Sequence, residues 1–233
     1  MSQVTHENSA SIRNSLPREL NATRFIVATL GVLFALAGID HGFFETLQGY
    51  APTHGLIVQA IGAQNRMWAY GTEDALTLIP NFLLSGIASI AISLLIAVWS
   101  VGFVQRKYGS TIFLLLFILL FLSGGGLAQI VYFTLAWAVS TRIDKPLTWL
   151  GRSLPEHFLR ALGMSWLWLL GGFVLPSLIA LEIAIFGYVP GVNDPIKVLH
   201  TCWSLLAFGM VFLLLAIASG FIHDADRGLG RKR

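Results

Sequence analysis

Several apolar stretches, each as long as a bilayer crossing, constrain this chain more than any other feature. A helix needs about 20 predominantly apolar residues to cross a hydrocarbon core of roughly 30 Å, and such runs recur between residues 25 and 222. Only 12% of the 233 residues are charged, whereas a soluble domain has about 25%. The pattern predicts an all-α fold, namely a polytopic transmembrane helix bundle.

The runs predict six helical membrane segments within a single transmembrane domain, residues 24–222. Four of them are full spans, and the third and fourth are short segments that form an inserted helical hairpin. In chain order the segments cover residues 24–47, 73–104, 110–123, 127–141, 161–187 and 195–222. A polar segment, residues 1–23, precedes the domain, and a basic tail, residues 223–233, follows it.

The distribution of Lys and Arg decides how the apolar run 111–140 crosses the membrane. If the run is one span, six of these cations lie inside and nine outside, which contradicts the positive-inside rule. If Gly124, Gly125 and Gly126 form a turn and the run doubles back, thirteen lie inside and two outside. We therefore predict a hairpin, with both termini cytoplasmic. One long tilted helix with a glycine-weakened middle is the alternative.

Smaller features refine the first two helices. Thr72 is interpreted as the N-cap of the second span, with Glu73 and Asp74 in its first turn, where the helix dipole favours acidic residues. Gly31 and Gly38 lie on one stripe of the first helix, which suits close contact with another helix.

Five ionisable residues are expected at the outer boundary of the membrane. Asp40, His41 and Glu45 lie near the end of the first span, Glu182 near the end of the fifth segment, and His200 near the start of the sixth. Such groups are costly in hydrocarbon and often functional. They predict an outer-side polar site for a proton, an ion or a partner. The alternative is that they are hydrated, or pair with one another to join helices.

Other chemistry is poorly supported by the sequence. His41 and His200 are candidate metal ligands because imidazole suits transition metals, although no established metal signature occurs. Cys202 is the only cysteine, which excludes an intrachain disulfide and a Cys-based zinc site. Gln129 is interpreted as a hydrogen-bonding or pore-lining residue. No nucleophile-and-base constellation is visible, so no catalytic residue is assigned.

The motifs Gly38-Ile39-Asp40-His41-Gly42 and Ile79-Pro80-Asn81, followed by a Gln-Arg-Lys loop and a glycine triplet, resemble a family of uncharacterised multi-pass membrane proteins from bacteria and archaea. The resemblance covers about the first two-thirds of the chain. The family has no assigned activity, so the resemblance carries over no functional residues. It implies the inner (plasma) membrane of a prokaryote.

Three functions fit these observations. The leading hypothesis is a small transporter or channel-like protein. The others are a membrane-embedded enzyme with a His/carboxylate metal site and an accessory subunit of a membrane complex. The expected partners are the lipid bilayer and either further copies of the chain or other membrane subunits. The excess of cations, a net charge of +3, is attributed to cytoplasmic loops and not to nucleic-acid binding. The sequence identifies no cofactor.

Overall fold

The computed structural model describes residues 21–145 and 156–230. Most of the predicted polar segment 1–23 and the last three residues of the predicted tail therefore lie outside the described residues. The described part contains six α-helices and three β-strands: α1 (Ala22–Leu47), β1 (Ile57–Gln59), β2 (Asp74–Thr77), α2 (Phe82–Gly102), α3 (Gly109–Leu122), β3 (Ser123–Gly126), α4 (Gln129–Ser140), α5 (Glu156–Phe186) and α6 (Pro195–Gly230).

Four of the helices are long and apolar enough to cross a membrane. They are α1, α2, the part of α5 from Ala161 to Phe186, and the part of α6 from Pro195 to Asp226. Helices α3 and α4 are also apolar but shorter, with 14 and 12 residues. The prediction of a mostly helical chain with four long apolar helices is therefore confirmed.

The second long helix begins later than predicted. Helix α2 starts at Phe82 and not at residue 73, and its N-cap is Asn81, whose side-chain oxygen accepts a hydrogen bond from the backbone of Leu84 at 3.1 Å. The interpretation of Thr72 as the cap was wrong. Pro80 explains the difference, because a proline inside a helix removes a hydrogen bond and clashes with the preceding turn.

A small antiparallel sheet includes residues 74–77, which were predicted to be helical, so the all-α prediction was incomplete. Its strand order is β1-β2-β3. The glycine triplet, predicted as a turn, belongs to strand β3, which is buried along its whole length. Strand β2 pairs with it at Ala75–Gly126, Leu76–Gly125 and Thr77–Ser123. Gly124 is the extra residue between the last two pairs, which makes it the bulge.

The last helix ends later than predicted. Helix α6 continues to Gly230, past the expected end at residue 222, so most of the predicted tail 223–233 is helical. Two contacts anchor this extension. His223 Nδ1 lies 2.9 Å from the carbonyl oxygen of Gly163 in α5, and the Asp224 carboxylate accepts hydrogen bonds from the start of α1. These partners extend the helix beyond the apolar run.

Polar contacts define two ends of the bundle. At the terminal end, where α1 begins and α6 finishes, Ala22 and Thr23 donate their backbone N–H groups to Asp224, both at 2.9 Å. Arg24 donates to the carbonyl of Val101 near the end of α2 at 3.2 Å. At the sheet end, where α1 finishes, Trp68 donates its indole N–H to Ala184 near the end of α5 at 2.9 Å.

The apolar run 111–140 doubles back, as predicted from the charges. Its first helix, α3, starts at the terminal end, where Trp99 of α2 donates to the carbonyl of Gly109 at 3.0 Å. Strand β3 lies at the sheet end, and α4 returns, because Asp144 just after α4 accepts a hydrogen bond from Asn21. A single long helix is excluded, since its ends would lie at opposite ends of the bundle.

Small residues bring α1 and α2 into close contact. A Cβ atom added to Gly42 would lie 2.6 Å from the carbonyl oxygen of Gly86, and one added to Gly31 would collide with Ser100. One added to Gly38 would meet Ser93. The predicted glycine stripe therefore packs against the second helix, as small residues do in membrane helix pairs.

An aromatic cluster joins α1 to the doubled-back pair α3 and α4. The ring of Phe133 in α4 stacks on Phe117 of α3 with centroids 4.0 Å apart. The same ring meets Phe34 of α1 edge-on at 5.4 Å. These rings fix the three helices together below the sheet end, which holds the polar residues described next.

Candidate functional site

A histidine–glutamate pair lies at the sheet end of the bundle. His41 Nε2 is 3.1 Å from Glu73 Oε2, and the other carboxylate oxygen of Glu73 accepts the backbone N–H of Ala128 at 3.2 Å. The His41 side chain is 9% exposed and that of Glu73 is 41% exposed. The pair therefore connects the surface to a buried imidazole, and it joins α1, the segment before β2 and the start of α4.

The glutamate of this pair is held in its ionised form. Burial raises the pKa of Glu73, but the hydrogen bond and charge of His41 and the N–H of Ala128 together lower it by more than burial raises it. The pKa of Glu73 therefore lies below the usual value for glutamate. With Glu73 ionised, the Nε2–H of His41 is the donor. The other ring nitrogen, Nδ1, is buried and has no hydrogen-bond partner within the described residues.

Glu45 follows one helical turn after His41 and is completely buried, with 0% of its surface exposed. In residues 21–145 and 156–230, neither of its carboxylate oxygens has a hydrogen-bond partner. Its carboxyl group lies against Gly124, where an added Cβ would be 2.8 Å from Glu45 Cδ. An ionised carboxylate without a partner costs several kcal/mol to bury. Such a group is stable only as the acid or with a cation beside it.

Hydroxyl groups from α2 surround the same bulged strand. Ser85 donates to the carbonyl oxygen of Ser123 at 2.9 Å, and Ser89 donates to the same oxygen. Ser85 also lies 2.8 Å from the hydroxyl of Thr77 in β2 and is a close neighbour of the Glu45 carboxyl group. Both serines are 0% exposed. The carboxyl group of Glu45 therefore lies beside the Ser85 hydroxyl, which in turn contacts the oxygens of Thr77 and Ser123.

Gln129 adds a further buried polar group at this end. It is 6% exposed, and within the described residues neither atom of its side-chain amide has a partner. It lies one turn before Phe133 on the buried face of α4, and Phe133 packs on Phe34 of α1. His41 lies two turns after Phe34 on α1, in the direction of the sheet end. Gln129 therefore faces α1 at a depth between those of Phe34 and His41.

The structure separates the five residues predicted to form one polar site. His41 and Glu45 share the buried environment described above. Asp40 is half-buried and lies close enough to His41 and Glu182 for their charges to interact. Glu182 and His200 are exposed on α5 and α6, so the two candidate metal ligands, His41 and His200, lie in different environments. Whether all five act together stays a prediction.

No group of three or more His, Cys, Asp or Glu side chains in residues 21–145 and 156–230 is placed to hold a metal ion. The oxygen atoms around Glu45 are of another kind, since most come from hydroxyl and carbonyl groups. Hard cations such as alkali and alkaline-earth ions prefer oxygen ligands of this type. The arrangement can therefore accept a proton or a hard cation.

Sequence reasoning missed Glu73, Ser85 and Ser89. Glu73 was assigned to a helix start, although Pro80-Asn81 seven residues later is a better start signal. The serines were not singled out, yet Ser85 and Ser89 are four residues apart and therefore lie on one face of a helix. That spacing was a signal available in the sequence.

No protein-family model, curated protein or solved structure matches this chain. The function of this chain is therefore inferred from the geometry of its own residues. The most unusual of them is Glu45, whose buried, unpartnered carboxyl group lies next to a histidine that is itself connected to the surface through Glu73.

Proposed function

We propose that this chain is a small transporter or channel-like protein of the prokaryotic plasma membrane, and that it moves a proton or a small cation through Glu45. In this proposal all six described helices lie in the membrane, with α3 and α4 as an inserted hairpin. Both termini are cytoplasmic, which places thirteen of the fifteen Lys and Arg residues inside, as the positive-inside rule requires. The sheet end then faces outward.

The observation that carries the proposal is the burial of Glu45 with both oxygens unpartnered. Ionisable groups inside membrane proteins mark ion pathways and proton relays because their burial costs too much to be retained without use. A buried carboxylate with a purely structural role is expected to accept hydrogen bonds. The carboxylate of Asp224, at the other end of the bundle, does so from Ala22 and Thr23.

The neighbouring residues supply a route between this carboxyl group and the outer surface. The proton on Nε2 of His41 points to the ionised Glu73, so the buried Nδ1 accepts the proton of the Glu45 carboxyl group. The imidazolium then releases its Nε2 proton across 3.1 Å to the part-exposed Glu73, which passes it to the solution, and inward transfer is the reverse of these steps. His41 and Glu45 are at i and i+4, on one face of α1, where side chains are neighbours. Histidine suits this role because it titrates near neutral pH.

The doubled-back segment also favours transport. Helices α3 and α4 are interrupted by a buried extended strand, and non-helical backbone at membrane depth is tolerated where protein covers it or where it lines a cavity. Transporters commonly place ion sites at such broken helices, where backbone carbonyls are freed from helical hydrogen bonds. Here the freed carbonyl of Ser123 lies beside the serines of α2.

The test is a flux assay in proteoliposomes. Purified protein is reconstituted, a potassium diffusion potential is set with valinomycin, and internal dyes report H⁺ and Na⁺. We expect flux of one of these ions, reduced about tenfold or more in Glu45→Gln and His41→Ala, which corresponds to at least about 1.4 kcal/mol. His157→Ala is the matched control, since His157 is exposed on α5, and it should keep the wild-type flux.

Two outcomes contradict the proposal. One is the absence of H⁺ and Na⁺ flux through folded, reconstituted protein. The other is a flux that Glu45→Gln leaves unchanged. The variants Glu182→Gln and His200→Ala test the larger site that the sequence predicted, because a loss of flux in either would extend the site to the exposed faces of α5 and α6.

A further inference from the structure

We infer that the oxygen cluster of Glu45, Ser85, Ser89 and the Ser123 carbonyl binds a single alkali-metal cation, for which Na⁺ is the probe. This inference rests on the proposed function and identifies its cargo or coupling ion. The cluster is formed where α1, α2 and the bulged strand β3 meet at the sheet end of the bundle.

The balance of hydrogen-bond donors and acceptors is the first argument. The hydroxyl protons of Ser85 and Ser89 are directed to the carbonyl oxygen of Ser123, and Ser85 has a second oxygen neighbour in Thr77 at 2.8 Å. The single proton of Ser85 therefore has the Ser123 carbonyl, Thr77 and Glu45 as alternative acceptors, while both oxygens of Glu45 are buried and unpartnered. The cluster therefore has more acceptors than donors, and a positive ion removes this deficit.

The chemistry of the ligands selects the class of ion. Apart from the imidazole of His41, the polar groups beside the Glu45 carboxyl group are oxygens, which favours hard cations over the transition metals that histidine and cysteine prefer. Among these groups only the carboxylate of Glu45 carries a negative charge, and α2 and β3 contribute only neutral side chains to this face. A single positive charge leaves the buried cluster neutral, whereas a divalent ion would leave an uncompensated charge in a region of low dielectric.

The backbone supplies a further reason. Helix α3 ends at Leu122, and the extended residues that follow are freed from the helical hydrogen-bond pattern. Carbonyl groups at such helix ends carry partial negative charge and coordinate Na⁺ in transporters with broken helices. Gly124, with a φ of +112°, brings the bulge against the Glu45 carboxyl group without a side chain between them.

Protons must compete with the cation for the same carboxylate. The titratable groups near Glu45 are His41 on its own helix and, beyond it, Glu73 before β2. Neither α2 nor β3 contains a titratable residue. Binding of the cation is therefore expected to weaken as the pH falls, because protonation of Glu45 removes its charge and protonation of His41 adds a positive one.

The experiment measures equilibrium binding of ²²Na⁺ to the purified full-length protein in detergent by scintillation proximity. We expect saturable binding of a single ion per chain, weaker at lower pH. Glu45→Gln should abolish it, and Ser89→Ala should weaken it about tenfold or more, in the range found when metal-site hydrogen bonds are removed. Ser100→Ala is the matched control, because Ser100 is also 0% exposed on the same face of α2 but lies at the terminal end and bonds only its own helix.

Thermal unfolding provides a second readout. Na⁺ should raise the melting temperature of the wild type and of Ser100→Ala, since a ligand that binds only the native state stabilises it. It should leave Glu45→Gln unchanged. This measurement also shows whether each variant is folded, so a loss of binding through misfolding is recognised.

The outcomes separate this inference from the proposed function. Folded wild-type protein without saturable Na⁺ binding overturns the inference, as does binding that survives Glu45→Gln. If such a protein still conducts protons in a manner that depends on His41 and Glu45, the transport proposal stands and the site carries protons alone. If Na⁺ binds as expected but no ion flux occurs, the site is confirmed and the transport proposal is contradicted.

Discussion

The substitution Gly124→Ala tests the packing of the bulged strand against the candidate site. Two separate features of Gly124 oppose a side chain. Its φ is +112°, a region that residues with a Cβ rarely adopt. An added Cβ would also lie 2.8 Å from Glu45 Cδ and closer still to the carboxylate oxygens. We therefore expect the alanine variant to be destabilised by both backbone strain and displacement of Glu45.

The magnitude follows from these two terms. A non-glycine residue in a sparsely populated φ/ψ region costs about 1–3 kcal/mol. Moving Glu45 off its preferred side-chain conformation costs about 0.5–1.5 kcal/mol. The sum is about 1.5–4.5 kcal/mol, a factor of at least roughly 10 in the folding equilibrium, because each 1.4 kcal/mol is tenfold. Gly49→Ala isolates the first term, since Gly49 has a φ of +74° and nothing within 4 Å of the added Cβ.

Reversible unfolding in mixed SDS micelles measures these energies, and a double-mutant cycle separates them. In a Glu45→Ala background the side chain that collides is absent, so Gly124→Ala should cost only the strain. The two costs should then differ by about 1 kcal/mol, within the usual range for residues in contact. The reasoning is refuted if Gly124→Ala costs no more than Gly49→Ala, or if the cycle shows no coupling.

Three further predictions use the same unfolding assay. Asp224→Ala should destabilise the protein by about 2–3 kcal/mol, because three hydrogen bonds from the start of α1 lose their charged acceptor. The control Asp226→Ala, two residues away and exposed, should change the stability by less than about 0.5 kcal/mol, and equal effects of the two variants would contradict the capping role of Asp224. Gly172→Ala should destabilise the protein and Gly171→Ala should not, because an added Cβ meets an aromatic ring of α6 at the first position and nothing within 4 Å at the second. A larger loss of stability in Gly171→Ala than in Gly172→Ala would contradict the packing of α5 on α6. Because the pKa of Glu73 is lowered in the native state, its ionised form stabilises the fold above the unfolded pKa of about 4.3, and this contribution is lost as the pH falls through the lower native pKa. The wild type should therefore lose stability relative to Glu73→Gln below about pH 4. Parallel plots of unfolding free energy against pH for the two proteins would contradict the pairing of Glu73 with the histidine.

The sequence predicted those parts of the fold that depend on the composition of one segment or on the total charge of the loops. Hydropathy over some 20 residues marks a membrane helix without reference to the rest of the chain, so the four long helices were found within a few residues of most of their ends. The doubling back of residues 111–140 was found because the positive-inside rule sums charges over whole loops. Neither property depends on which residues touch in the fold.

The sheet could not be predicted in this way, because its strands of three and four residues are specified by partners far along the chain. Strand β3 pairs with β2 across some fifty residues, and its Ser-Gly-Gly-Gly sequence has low strand propensity. The error had a functional consequence. The sheet brings Glu73 to His41, and without the sheet Glu73 was interpreted as a first-turn residue of a helix.

The position of the candidate site follows from the way in which the doubled-back segment reverses. A buried reversal of the chain must satisfy the backbone polar groups of its turn. This chain does so by pairing the glycine strand with β2 on one side and by aiming serine hydroxyls of α2 at its carbonyl on the other. Those bonds direct the protons of Ser85 and Ser89 toward the strand. The carboxyl group of Glu45, which contacts the same strand, is therefore left without a donor, and its need for a proton or a cation is a consequence of how the hairpin is closed.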